Sequence, residues 1–414
     1  MRIILWGLNY APEVTGIAPF NRELCDYLAT CGHDVGAVTT FSYYPKWRKQ
    51  PEDRGRWQRV DRLGGVNEHR SWHYVPQKVT TLKRIAHELS FCLTSFWRVL
   101  RLPRADVYFV VSPPLALGFF AWVATRLKRS RFVFHVQDLQ PDAAVGLGML
   151  KPVPMVRVLY ALEALAYRKA AIVSGISKGM QTTFLAKNVP EGRVRLLPNW
   201  LRSGRMAPRD DQTRARARAR LGIPGDTLLA VYSGNLGRKQ GLDVMYEAAA
   251  VLARQAVAPG ERRVQLLVAG DGAGRDDLER RLADGPLKEL RLLPLLSNAE
   301  YEELLAATDV SLITQAAGTG QYFFPSKLLS SLAMRLPVIA VADDTSELAQ
   351  AVAEGGFGCT VPPGNGEALA QALRQAAKDS DRLAAWAGKT SWVGRFAPEK
   401  VLPRYHELVT ALKP

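Results

Sequence analysis

Short apolar runs alternating with helix-periodic stretches, laid down in two successive blocks, restrict this chain's fold more than any other feature. In the first block the runs are Ile3–Leu8, Val35–Thr39, Val107–Ser112, Phe132–Gln137 and Ile172–Ser174. Helical spacing fills Phe20–Thr30, Leu115–Lys128 and Met155–Lys169 between them. In the second block the runs are Leu228–Ser233, Val264–Ala269, Val310–Thr314 and Val338–Val341, with helices at Leu242–Arg254, Ala299–Ala307 and Ser326–Met334. That alternation predicts a doubly wound α/β layer, formed twice. The length of 414 residues agrees, because a single core stops growing well below it and two domains of about 150–200 residues follow. Between Pro198 and about Leu221 the composition turns to Arg, Gly, Asp and Pro, which places the boundary there, a first domain over 1–200 and a second from 201. Two Rossmann-like domains facing a central cleft are expected, with ligands at the carboxyl ends of the strands.

Charge is divided unequally between the blocks. Residues 1–200 hold 28 Lys and Arg against 14 Asp and Glu, whereas residues 201–414 hold 27 against 25. A basic half beside a near-neutral one implies an anionic partner: nucleic acid, phospholipid or a phosphorylated acceptor. The run Arg214-Ala-Arg-Ala-Arg-Ala-Arg220 invites the first of these. It ends at Leu221-Gly222-Ile223-Pro224, so a solvated helix stopped by glycine is the simpler account, and no RNA- or DNA-reading motif accompanies it. The stretch Leu82–Leu102 sets apolar residues at helical spacing with basic residues at its edges, and Leu115–Arg129 is similar. Neither is a clean apolar run of about 20 residues that would span a bilayer. Both suit an interfacial helix on an anionic membrane, and both also suit a core helix of a Rossmann layer. Cys25, Cys31, Cys92 and Cys359 form no pair at metal or redox spacing, which fits a reducing, cytoplasmic setting. The histidines at 33, 69, 73, 87, 135 and 406 join no ligand cluster, so no metal is expected. Residues 3–8 read as a buried strand and not as an export signal.

Three signals in the second block carry chemistry. Val231-Tyr-Ser-Gly-Asn-Leu-Gly-Arg-Lys-Gln-Gly-Leu-Asp243 is a strand, a glycine-rich loop, paired cations and a helix start. Glycines let backbone approach an oxyanion, and Arg238 with Lys239 can neutralise a diphosphate. Leu267-Val-Ala-Gly-Asp-Gly-Ala-Gly274 is a second strand-to-helix glycine loop, a weak signal alone because tight turns use glycine for geometry. Third, Phe323-Phe-Pro-Ser-Lys-Leu-Leu329 opens a short apolar helix that runs through Ala333-Met-Arg335 to the Pro337-led strand. A helix N-terminus favours anions, so Lys327 stands at the wrong end for the dipole and is expected to serve a ligand. The competing account is a surface lysine on a core helix.

In this order and spacing the signals resemble family 4 of the retaining glycosyltransferases, which have the GT-B fold, and the resemblance covers nearly the whole chain. The first block adds Tyr10-Ala-Pro-Glu-Val-Thr-Gly-Ile-Ala18, Val136-Gln-Asp-Leu-Gln-Pro-Asp142, Ser174-Gly-Ile-Ser-Lys178 and Leu197-Pro-Asn-Trp200. The Gln-Asp-Leu-x-Pro-Asp and Pro-Ser-Lys-Leu variants look most like the WcaI-type colanic acid and exopolysaccharide enzymes. The resemblance implies a retaining, metal-independent hexosyltransferase without a cofactor, its substrate a nucleotide-diphosphate sugar held by residues 201–397. It implies an acceptor domain over 1–200 and a helix over 398–414 packing back on it. GDP-fucose is the implied donor, with a UDP-hexosamine as the alternative. A polyprenyl-diphosphate-linked saccharide is the implied acceptor, with action at the inner face of the plasma membrane on an anionic surface and no nucleic acid.

Carried over residue by residue, the resemblance makes Asp138, Gln137, Arg238 and Lys239 catalytic candidates. Candidate donor contacts are Gly16, Ile17, Gly234, Asn235, Gly270, Pro325, Ser326, Lys327, Leu328, Ser330 and Glu347. Glu13 and Asp142 are the acceptor candidates. For Asp138 helix capping competes with catalysis, for Glu13 an exposed turn position competes, and His135 competes as a core histidine. The chain departs from the family at four places. Ile17 replaces a second glycine, Gln137 stands where His is common, and Asn235 replaces an arginine. Ser330 occupies the position of the ribose-binding glutamate, for which Glu347 is the substitute candidate. Two other readings stay open: a nucleotide-sugar 2-epimerase on the same fold, and a catalytically inactive basic membrane-binding protein.

Overall fold

The computed structural model describes residues 1–14, 16–44, 47–146, 153–202, 210–320 and 324–413. The chain divides into two compact units, Met1–Trp200 with Glu399–Pro414, and Leu201–Pro398. Both are α/β, each with a Rossmann-like sheet.

The described residues of the first unit hold β1 (Arg2–Trp6), β2 (Asp34–Thr40), β3 (Gln58–Leu63), β4 (Val66–Ser71), β5 (Val107–Ser112), β6 (Arg131–Val136), β7 (Ile172–Gly175) and β8 (Val194–Leu196). Their order in the sheet is β3-β4-β2-β1-β5-β6-β7-β8. Every pair is parallel except β3 with β4. Central strands of a parallel sheet are covered on both faces by crossover helices, so each position wants an apolar residue. β5, buried at all six positions, shows why such runs were readable.

The β3–β4 hairpin has no such run and is an addition to the expected strands. Its faces carry Arg59, Asp61, Glu68 and Arg70, paired as Arg59–Asp61 at 2.8 Å and Arg70–Glu68 at 2.6 Å. Charge suits an edge strand, which must discourage pairing with other chains. The turn is legible afterwards: Gly64 and Gly65, at φ +60° and +83°, supply the two left-handed residues that a two-residue hairpin turn requires. Helix Pro398–Ala411 buries Val401, Leu402, Tyr405 and Val409 in the first unit's core beside Phe20 and Trp200. The Tyr405 hydroxyl donates to the carbonyl of Leu197 at 2.9 Å.

Of the two amphipathic stretches, the second is a core helix. Helix Leu117–Lys128 buries Leu117, Gly118, Ala121 and Ala124, and a Cβ on Gly118 would stand 2.5 Å from that of Ala166 on helix Val153–Lys169. That close approach packs the Gly118 side of the helix into the core.

The described residues of the second unit hold β9 (Thr227–Asn235), β10 (Arg263–Asp271), β11 (Leu290–Leu293), β12 (Val310–Thr314), β13 (Val338–Val341) and β14 (Gly358–Val361), all parallel. The order is β11-β10-β9-β12-β13-β14. The two edge strands are additions to the sequence reading: Arg291 interrupts the apolar run in one, and Gly358 and Thr360 interrupt it in the other. The arginine run forms helix Asp211–Leu221, ended by Gly222 at φ +67°. It is not wholly solvated, however. Arg214, Arg218 (2.9 Å) and Arg262 (3.0 Å) converge on the buried Asp309 just before β12, and the Leu229 N–H donates to it at 2.8 Å. Burial alone would raise the Asp309 carboxyl. The Leu229 N–H and the three guanidiniums outweigh that and hold it below the usual carboxylate range.

Candidate active site

In the second unit the chemistry gathers at the carboxyl ends of β9 and β12. β9 ends through Tyr232, Ser233, Gly234 and Asn235. Tyr232 is wholly buried, and its hydroxyl donates to the Asn235 carbonyl at 2.7 Å, which closes the end of the strand into a tight loop. Gly234 sits at φ +135°, a conformation a side chain would strain, and a Cβ there would lie 3.5 Å from the Lys327 ammonium. Lys327 Nζ also lies 3.6 Å from the Tyr232 ring centroid. The ammonium is buried and finds no hydrogen-bond acceptor among the described residues. Burial first, and the charge of Lys239 second, push its pKa down to about 7.

Lys327 is therefore no surface lysine. A buried cation with no counter-ion costs several kcal/mol, and a ring face returns only about 1–2 kcal/mol. Such a group either sheds its proton or receives an anion. Helix Lys327–Ala333 is only seven residues long, so the lysine's own charge and not a helix dipole dominates here. The loop after β12 is tied to the same place: the Ala316 N–H donates to the Lys239 carbonyl at 2.9 Å, and the Gly318 N–H to Asp343 at 2.7 Å. Two more buried polar atoms, Thr314 Oγ1 on β12 and Gln240 Oε1, have no hydrogen-bond partner among the described residues. Tyr232, Gln240 and Thr314 were not singled out in the sequence. Each is an ordinary residue type whose role depends on what the fold sets beside it.

The remaining donor candidates separate by environment. Arg238 and Asn235 are exposed on the loop, and Lys239 is half-buried. Gly270, at φ +150°, is required by packing: it lies opposite Gly234 in the β9–β10 register, and a Cβ would come within 1.9 Å of the Gly234 carbonyl oxygen. Its contribution is to hold the Gly234 backbone in place. Leu328 is a core residue, wholly buried with Ile313 and Leu348, and Pro325 is buried beside it. Ser326 is exposed at the start of the helix. Ser330 hydrogen-bonds the Tyr301 hydroxyl. Glu347 is half-buried in the first turn of helix Glu347–Gly355, which Ser346 caps by accepting from the Ala349 N–H at 3.1 Å. Phe323 lies outside the described residues.

In the first unit, Gly16 is exposed at φ +62°, with open space where a Cβ would be, and Ile17 precedes helix Ala18–Thr30. Glu13 corrects the alternative of an exposed turn position. It is buried and accepts from the N–H groups of Tyr43 and Tyr44, each at 3.0 Å, and from Asn9 Nδ2 at 2.8 Å. It thereby ties the loop after β1 to the loop after β2. Asp142 is likewise engaged, with Lys187 at 2.5 Å and the Tyr160 hydroxyl at 3.2 Å, and Lys187 also pairs with Glu163 at 2.6 Å.

His135 is a core histidine. Burial pushes its pKa down to about 3, so the ring is neutral. Nδ1 lies 2.9 Å from Ser174 Oγ, and Gln137 Nε2 donates to Nε2 at 2.8 Å. The Gln137 amide also exchanges hydrogen bonds with the Asn199 amide, at 3.1 and 3.2 Å. Asp138 is half-buried after β6. The following helix begins at Gln140, so Leu139 and not Asp138 holds the position before it. Arg84, paired with Glu88 at 3.1 Å, feels the charge of Asp138. Among the described residues no three His, Cys, Asp or Glu side chains gather as a metal would need.

Comparison with known proteins agrees with this architecture. Residues 15–200 match the glycosyl transferase 4-like domain, and residues 213–390 match the glycosyl transferases group 1 domain. The chain is 31% identical over 382 residues to Escherichia coli WcaI, assigned to colanic acid biosynthesis as a glycosyl transferase, covering 91% of this chain and 92% of that protein. Sucrose-phosphate synthase from Thermosynechococcus elongatus superposes with a TM-score of 0.78 at 18% identity, over 99% of this chain and 98% of that one. Anabaena HepE, solved in complex with UDP-glucose, gives a TM-score of 0.69 at 16% identity, over 99% and 100%.

Proposed function

The chain belongs to the group 1 glycosyltransferases, with a glycosyl transferase 4-like domain ahead; on that premise we propose that it draws on a nucleotide-diphosphate sugar held by the second unit. The observation that carries this is the Lys327 ammonium, buried against Gly234 and Tyr232 with no counter-ion among the described residues. A diphosphate is an anion of the right charge for that place. When the sugar leaves, negative charge grows on the β-phosphate, and preorganised cations stabilise that change most where water is excluded. Lys327 supplies the dry contact, and Lys239 and Arg238 supply the wetter ones. The UDP-glucose found in HepE supports the class of donor.

The sugar passes to a lipid-linked or saccharide acceptor taken up by the first unit, in the assembly of a surface polysaccharide. The relationship to WcaI supports that setting, with GDP-fucose as the donor to test first. Transfer proceeds with retention and without a metal. Asp138 orients the acceptor or takes its proton, and the neutral His135–Gln137–Asn199 network keeps the strand end beside it in one arrangement. Glu13 and Asp142 already accept hydrogen bonds within the first unit, and in this reading both act as supports on the acceptor side.

Thermal unfolding with UDP, GDP, ADP or dTDP, in the presence of a chelator, tests the donor site. A ligand that binds the native state raises the transition by mass action. One nucleotide is expected to raise it by several degrees, and Lys327→Ala to remove most of the shift. No shift with any nucleotide would refute the assignment. Product anomer determination by NMR checks retention.

A further inference from the structure

Helix Thr81–Arg101 in the first unit is apolar on two sides, and only one of them is used by the fold. Its inner side buries His87, Phe91, Ser95 and Val99, and the Trp6 indole donates to Ser95 Oγ at 2.9 Å. On the other side, Leu82, Leu89, Leu93 and Trp97 are exposed by 74, 42, 53 and 57%. At about 100° per residue these four and Ala86 fall in one arc of about 80°, with no charged residue inside it. Lys83 and Arg101 flank the same edge of the arc, and the exposed Lys78 and Arg104 stand just beyond the two helix ends. The Arg101 guanidinium lies 6.0 Å from the Trp97 ring centroid.

We propose that this outer stripe docks the protein on an anionic lipid bilayer, with Leu82, Leu89, Leu93 and Trp97 at the acyl boundary and the flanking cations on headgroups. Two observations select a bilayer over a second copy of the chain. The stripe is about 22 Å long and one side chain wide. It can bury only a few hundred Å², against about 800 Å² per partner in a stable protein interface. A second copy would also bring its own excess of positive charge, since residues 1–200 carry 28 basic against 14 acidic residues. An anionic surface attracts that excess, and a row of aliphatic and Trp side chains with Lys and Arg at its edges matches the depth profile of a lipid interface. The proposal rests on the lipid-linked acceptor reading for its purpose, but it is measured apart from it.

The test is sedimentation of the full chain with vesicles of phosphatidylcholine alone, or with phosphatidylglycerol added. Partitioning is expected to be at least about tenfold stronger on the anionic vesicles and to fall several-fold between 0.1 and about 0.5 M salt. The exposed triple variant Leu89→Ser/Leu93→Ser/Trp97→Ser should lower it by about tenfold or more, with the nucleotide-induced thermal shift intact. Unchanged partitioning of that variant overturns the proposal, as does a wild-type chain that ignores anionic vesicles. A dimer that the same variant dissolves, seen by light scattering, overturns it in favour of a second copy. A variant that still shifts with nucleotide but leaves the vesicles supports it, whereas vesicle binding without any nucleotide effect refutes the donor assignment alone.

Discussion

Binding of the donor should draw a proton into the second unit, and Lys327 sets how much. In the free protein burial and Lys239 bring its pKa down to about 7 from an ordinary 10.5, a displacement worth on the order of 4–5 kcal/mol. A diphosphate beside the ammonium removes the reason for that displacement and returns the pKa above the working range. The free lysine is then roughly one-tenth deprotonated at pH 6, one-half at pH 7 and nine-tenths at pH 8, and a bound one is protonated throughout. Proton uptake per donor bound should rise from about 0.1 to about 0.9 across that interval, and the affinity should fall by about tenfold. A nucleotide sugar is the right probe because both of its phosphates are esterified and do not titrate between pH 6 and 8. Isothermal titration at fixed pH, in buffers that differ in ionisation enthalpy, reads the proton number directly. Lys327→Met should abolish the uptake and weaken binding. The same variant should unfold at a higher temperature without ligand. The unfolded state holds the lysine's proton up to about pH 10.5 while the folded state releases it near 7, so the native lysine lowers stability at pH 7 and that penalty fades as pH rises. Zero proton uptake at pH 8 with a donor that binds, and the same result in the variant, would refute the reasoning.

Two further expectations concern the frame that holds the site. Asp309→Ala leaves Arg214, Arg218 and Arg262 without their shared carboxylate, with Arg218 buried; urea unfolding should show a loss of about 3–5 kcal/mol. Gly270→Ala sets a Cβ against the Gly234 carbonyl at a strained φ, so it should destabilise by at least about 1–3 kcal/mol and weaken nucleotide binding. Gly16→Ala, with open space around it, should cost only about 1 kcal/mol in a denaturation curve.

The sequence by itself determined the repeating α/β plan, because buried parallel strands need apolar residues in unbroken runs and helices need apolar residues at their own period, and both patterns are local. It also singled out Lys327 and the Gly234 loop, since a cation and a glycine stand out beside the strands that carry them. It could not show that the lysine is buried, because that depends on Tyr232 and Gly234, about ninety residues earlier, arriving beneath it. The charged β3–β4 hairpin, the three arginines on Asp309 and the three donors on Glu13 escaped for the same reason: each is a partnership between distant segments. The two apolar sides of helix Thr81–Arg101 are both legible as pattern, and only the tertiary structure decided which one the core took and which one it left bare. Periodicity records that a side chain prefers to leave water, whereas packing determines what it meets when it does.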